Sequence, residues 1–173
     1  MASSFPFRWS AKLALVLALP LLAGCGGGGG GETEATPQTV QGAGYSFEAP
    51  LGWKVTRSPS ETAAASGPVD RVEVRTFRLV RRYDPSRFRA ATRELDAVIA
   101  RIASQLDGRV TARRTIRVDG RKVRSYVIAY DDDKSQEITF VLEGRKEHQL
   151  LCRRLESAAD EPCRALLESF TLG

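Results

Sequence analysis

The side chains best able to do chemistry in this 173-residue sequence are few: one histidine, His148, three cysteines, and three consecutive aspartates, Asp131, Asp132 and Asp133. A histidine acting as general base needs a group that orients its ring and a nucleophile within reach. Glu147 and Gln149 flank His148, but neighbours along a strand leave opposite faces, so neither can hold the ring. His148 therefore reads as structural. No Gly-x-Ser-x-Gly elbow is present to supply an activated serine. Zinc requires a tetrahedral set of His and Cys ligands, which one histidine and scattered cysteines do not make. A calcium loop spaces its acids alternately, turns on a glycine and closes with a distal glutamate, whereas three adjacent aspartates read as a solvated turn. The expectation is a protein with no catalytic residue, no metal and no cofactor.

Cys25 is different. Met1 to Lys12 holds Arg8 and Lys12 and no acid, Leu13 to Leu22 is an apolar run of ten, and Ala23-Gly24-Cys25 follows at once. That order is a secretory signal. Ten helical residues cover only about 15 Å, half of a hydrocarbon core, so a retained span is not expected. Leu22-Ala23-Gly24-Cys25 resembles a bacterial lipobox, which implies removal of residues 1–24 and acylation of the Cys25 thiol. Two or three acyl chains anchor stably where one does not. The expected location is the cell membrane or outer membrane, lipid-anchored, with the domain on the extracytoplasmic side. Residues 25–43 include six consecutive glycines, Gly26 to Gly31, and read as a tether. With Cys25 acylated, an oxidising compartment leaves one pairing, Cys152 with Cys163. Ten intervening residues are too many for a Cys-x-x-Cys redox pair, so a structural bridge is expected.

The elements that position these residues lie in 44–173, long enough for one domain with its own core. Tyr45 to Glu48 alternates as a strand, Pro50-Leu51-Gly52 turns, and Trp53 to Thr56 resumes with Trp53 and Val55 inward. Ser58 to Pro68 reads as a polar loop. Arg71 to Val80 reads as a strand whose apolar parity switches between Val74 and Phe77, which suggests a bulge. Asp84-Pro85-Ser86 starts a helix whose apolar positions run from Phe88 to Leu106, with Gly108 as its C-terminal cap. Val110 to Val118 and Arg121 to Tyr130 flank Asp119-Gly120, a two-residue hairpin signal. Two further strands, Gln136 to Glu143 and Glu147 to Leu155, and a short helix after Asp160 complete an α+β pattern.

Three segments resemble the PsbP-like proteins, a superfamily that includes PsbP, Mog-type and DcrB/LpqN-type members. They are Tyr45-Ser46-Phe47-Glu48-Ala49-Pro50-Leu51-Gly52-Trp53, the hairpin Val118 to Val123, and the ending Leu166 to Leu172. The resemblance implies a central antiparallel β-sheet flanked by helices, an α/β/α sandwich. It implies partner binding and no enzyme activity, and it assigns no binding residue here.

Charge narrows the partners. The formal net charge is +5; without Arg8 and Lys12 it falls to +3, too mild for a nucleic-acid partner. One face of the central hairpin carries Arg113, Arg117, Lys122 and Arg124 with Tyr126 and Tyr130, a candidate surface for an anionic ligand or an acidic partner. The other reading of this face is cover by the long helix with solvated arginines at its rim. The function expected is a membrane-anchored, non-catalytic binding or assembly module, held to the lipid bilayer through Cys25 and meeting an envelope protein. The alternative is a carrier or sensor for a small apolar or anionic ligand between helix and sheet.

Overall fold

Four long strands with alternating or nearly continuous apolar residues build the main layer, and a computed structural model describes residues 37–173 of the chain. The elements in order are β1 (Pro37–Gly42), β2 (Tyr45–Pro50), β3 (Lys54–Arg57), β4 (Glu61–Ala65), β5 (Arg71–Arg78), α1 (Phe88–Gln105), β6 (Arg109–Val118), β7 (Arg121–Tyr130), β8 (Lys134–Glu143), β9 (Lys146–Leu155), α2 (Glu161–Ser169) and β10 (Thr171–Leu172). A seven-stranded sheet runs β3-β4-β5-β9-β8-β7-β6, and a three-stranded one runs β1-β2-β10. All pairings are antiparallel. This is an α+β architecture.

The large sheet is buried on both faces over its middle, which is why β7, β8 and β9 are apolar on both sides. On one face α1 lays Leu95, Ile99 and Ala103 over Tyr126, Ile128, Ile138, Phe140 and Leu151. On the other, β2 and α2 bring Tyr45, Phe47, Leu166 and Phe170 against Val72, Val74, Val123, Val141 and Leu150. Cys152 in β9 and Cys163 in the first turn of α2 form a disulfide, so the helix is stapled to the sheet it covers. The β6–β7 hairpin has the register its turn dictates: Val118 opposite Arg121, Ile116 opposite Val123, Ala112 opposite Val127 and Arg114 opposite Ser125. Asp119 and Gly120 both take positive φ, as a two-residue turn matching strand twist requires.

Four expectations fail locally. Pro37–Gly42, read as tether, is a strand paired with β2, and its Val40 is buried in the core; one apolar residue among polar ones carries little periodic signal. Glu61–Ala65, read as loop, is a strand whose Thr62, Ala63 and Ala64 are buried, because small side chains let β4 lie close under the neighbouring layer. β5 has no bulge, and its register with β9 is continuous. Glu73 faces away from Val72 and Val74 and is nonetheless buried, between Arg71 and Arg75 with Glu61 across the strand. Phe77, on the same side at the rim, stays half exposed. The left-handed residue that follows the C-cap Leu106 is Asp107, with φ of 49°, while Gly108 N donates to Ala103 O at 2.9 Å. Gly108 is needed for another reason: a Cβ there would lie 2.6 Å from Ala129 O.

Candidate basic binding site

The hairpin residues expected to form one surface are dispersed by the fold. Tyr126 is fully buried beneath α1, edge-on to Phe140 at 5.9 Å, and its hydroxyl donates to Asp96 Oδ1 at 2.8 Å. Burial, then the bond to Asp96, pushes its pKa up to about 12. It belongs to the core and not to a ligand surface. Arg124 is occupied as well, 3.6 Å from Asp96 and stacked 5.3 Å from the Tyr126 ring centroid. Tyr130 ends β7 opposite Lys134, beside the aspartate turn and far along the strand from Lys122. Arg113 lies opposite Tyr126 on the outermost strand. Arg117 and Lys122, both exposed, are cross-strand partners next to the hairpin turn.

That pair belongs to a larger basic cluster. The ends of β5, β8 and β9 meet there, with Arg78 opposite Lys146 and Lys146 opposite Glu143. The loop from Leu79 to Asp84 is pinned to the β8–β9 turn: Leu79 N donates to Arg145 O at 2.9 Å, Tyr83 N to Gly144 O at 2.7 Å, and Arg145 to Val80 O at 3.2 Å. Asp84 closes the loop by accepting from Ser86, and the Ser86 hydroxyl first, then its N at 2.8 Å, hold the Asp84 carboxyl below the usual carboxylate range. So fixed, the loop presents Arg81 and Arg82 beside Val80, which is 92% exposed.

Tyr83 divides this end into two open clefts. One, of 360 Å³, lies between the loop and α1 and is lined by Val80, Arg82, Arg87, Leu95 and Leu142, with Asp84, Glu94 and Glu147 also on its wall. The other, of 460 Å³, is lined by Arg82, Phe88, Arg121, Lys122 and Leu142. Lys122 Nζ sits 4.7 Å over the Phe88 ring. Arg121 is neutralised by Asp119 and, at 2.7 Å, by Glu143. Arg81, Arg82, Arg87 and Lys122 make no ion pair among the described residues. Burial, then the Asp84 charge, raises the Tyr83 pKa, so its hydroxyl remains a donor at neutral pH. Such a site offers guanidinium and ammonium donors around aromatic walls, the chemistry that recognises carboxylate or phosphate groups.

The opposite end mixes both signs: Asp107, the Asp131–Asp133 turn, Asp160 and Glu161 lie there beside Arg109, Lys134, Arg153 and Arg154. A groove of 660 Å³ lies there beside the disulfide and is walled by Pro37, Pro50, Trp53, Ala158 and Pro162. Arg154 there is committed to the chain itself, donating to the carbonyls of Leu155, Glu156 and Ala158 at 2.9, 3.0 and 2.7 Å. His148 is buried in neither site. It packs between Tyr45 and Phe170, with Nδ1 3.0 Å from Thr76 Oγ1, and burial lowers its pKa. No three His, Cys, Asp or Glu side chains gather as metal ligands among the described residues. Cys25 and the glycine run lie outside the described residues.

The residues missed by sequence reading are Arg81, Arg82, Tyr83, Arg87 and Phe88. Their signal was a basic-aromatic loop before a helix, but only the strand pairing brings it to Lys122, more than thirty positions later.

No family model matches the chain, and no curated protein does. Solved structures do. A protein from Bacteroides thetaiotaomicron superposes with a TM-score of 0.51 at 6% identity, over 75% of this chain and 45% of its own length, so this chain spans under half of it. The cyanobacterial PsbP protein (CyanoP) of Synechocystis superposes with a TM-score of 0.56 at 15% identity, over 88% of this chain and 99% of its own. The fold of this chain is therefore PsbP-like.

Proposed function

We propose that the chain is a membrane-anchored envelope lipoprotein whose domain is a non-catalytic binding module for an acidic partner protein. The observation that carries this reading is the basic, aromatic end built around Tyr83, with four cations left without partners next to a nearly fully exposed Val80. Exposed cations without an ion-pair partner among the described residues, around clefts that also carry Glu94, Glu147 and Glu143, bias the encounter towards an acidic partner and fix its orientation. Exposed apolar side chains inside such a ring supply the contact that charge alone does not.

The carrier reading finds less support, since the space between α1 and the sheet is filled by Tyr126, Ile128 and Phe140.

The test is crosslinking of the full chain in its native envelope, followed by identification of what co-purifies. A specific protein, lost when Arg82→Glu and Lys122→Glu are combined, supports the binding module. A lipid or metabolite retained by that variant supports the carrier instead. In parallel, Cys25→Ser should move the protein out of the membrane fraction; an unchanged fraction would refute the anchor.

A further inference from the structure

β6 ends the large sheet. It pairs with β7 along its length and with no other strand among the described residues, so a ten-residue edge, Arg109 to Val118, keeps one side of its backbone groups unpaired. Long edges of this kind accept further strands unless something prevents it. Two features bear on what could be accepted. The strand carries Arg109, Arg113, Arg114 and Arg117 and no acid. It is also bordered by a hollow on each face. Towards α2 there is a cleft of 380 Å³ lined by Arg114, Ile116, Arg117 and Arg164, with Glu137 and Glu168 among them. Towards the start of α1 there is a shallower hollow lined by Phe88, Arg89, Arg93, Thr115 and Lys122.

We propose that the β6 edge, over Ala112 to Val118, is an acceptor for an extended acidic segment of the partner, added as an antiparallel or parallel eighth strand. The proposal rests on the binding-module reading and names the mode by which that module would hold its partner. In strand addition the backbone supplies affinity and alternate side chains enter pockets on the two faces. The face towards α1 offers Arg89, Arg93 and Lys122 and no acid, whereas towards α2 Arg114 already lies 3.4 Å from Glu137, so acidic side chains are matched chiefly on the α1 face. The register shift between Val110 and Ala112 spoils the first turn of the edge and leaves the seven residues from Ala112 usable. A second copy of this chain is the less suitable occupant. Two β6 strands side by side would set arginines against arginines, and like charges across a pair are destabilising. An anionic bilayer would satisfy the charges and leave the edge amides unpaired.

The full chain in detergent can be titrated with a labelled peptide of alternating Glu and Val or Thr, eight residues long. Three companions are needed: the same peptide with all central amides N-methylated, a Lys-for-Glu version, and vesicles of phosphatidylcholine with phosphatidylglycerol. The expected result is binding of the acidic peptide, weakened at least tenfold by N-methylation and abolished by the lysine exchange. Amide hydrogen exchange in β6 should slow when the peptide binds. Arg113→Glu with Arg117→Glu should weaken binding at least tenfold while the melting temperature stays within a few degrees. Equal affinity for the N-methylated peptide would overturn strand addition and leave a charge-only surface. No peptide binding, with or without vesicle binding, would overturn it too. Loss of envelope crosslinking on Arg82→Glu and Lys122→Glu would still stand in either case, so failure here is distinct from failure of the binding module.

Discussion

His148 Nδ1 lies 3.0 Å from the Thr76 hydroxyl oxygen, across the pairing of β5 with β9, and its Nε2 is buried without a partner among the described residues. The ring is wedged between Tyr45 and Phe170, with centroids 5.6 and 6.0 Å away. Burial lowers its pKa from 6.5; the charges of Lys146 and Arg121 act in the same direction and Glu143 opposes them. The native state therefore holds this histidine neutral to a lower pH than the unfolded chain does. Above the unfolded pKa neither state is protonated and stability is full. As pH falls below 6.5, the unfolded chain takes up the proton first, and stability is lost at up to about 1.4 kcal/mol per pH unit. The loss stops once the folded pKa is passed. The melting temperature of the wild type should thus fall more steeply from pH 7 to pH 5 than that of His148→Gln, which keeps an acceptor for Thr76. Parallel curves for the two proteins would show that His148 is not the group responsible.

Val40 and Phe47 are cross-strand partners in the small sheet and both are buried. A chain beginning at Pro37 should therefore fold, while one beginning at Gly44 should lose the cover over β2. The missing strand removes one buried valine and a row of backbone pairings, so a drop of several kcal/mol in unfolding free energy is expected. Val40→Asp in the longer chain should reproduce most of that loss, since a buried unpaired carboxylate is costly. Equal denaturant midpoints for the two chain lengths would return residues 37–43 to the tether.

How far the sequence speaks depends on the range over which a signal is encoded. The β6–β7 register was legible because Asp119-Gly120 sets it locally, and α1 because its apolar stripe repeats over five turns. β1 and β4 were not, since Val40 is a lone apolar residue and Ala63 and Ala64 are small enough to pass for loop. Glu73 hid the parity of β5, because its burial depends on Arg71, Arg75 and a third residue, Glu61, in another strand. The basic end failed for the same reason in reverse. Arg82 and Lys122 are ordinary surface cations in sequence, and they become one site only because the β8–β9 turn pins the loop before α1.

The disulfide between Cys152 and Cys163 closes a loop with a sequence separation of 11, and both cysteines are buried. Cross-linking a loop of that size stabilises by about 3 kcal/mol in the chain-entropy treatment. For a domain of this length, that corresponds to roughly 10 °C in melting temperature. Cys152→Ala with Cys163→Ala should show most of that drop without reductant, and the wild type should show it when reduced. The same substitutions loosen α2 over the groove beside Trp53, so protease cleavage between Leu155 and Pro162 should speed up. A melting temperature unmoved by the double substitution would mean that packing of Leu166 and Phe170 alone holds the helix.

Tyr126 offers the sharpest separation of core from surface. Its hydroxyl donates to Asp96 at 2.8 Å, and Asp96 is also 3.6 Å from Arg124 and partly open to solvent. Removing the hydroxyl leaves Asp96 with Arg124 and water, so Tyr126→Phe should destabilise by only about 1 kcal/mol. Tyr126→Ala opens a cavity against Phe140, Leu95 and Ile99 and should destabilise by about 3–5 kcal/mol. Neither change touches the basic end, where Arg82, Lys122 and Val80 lie. Partner capture by Tyr126→Phe should therefore equal that of the wild type, although its denaturant midpoint is lower. The reverse pattern, with stability intact and capture weakened, would place the phenol in contact with the partner and require α1 to move off the sheet when it binds.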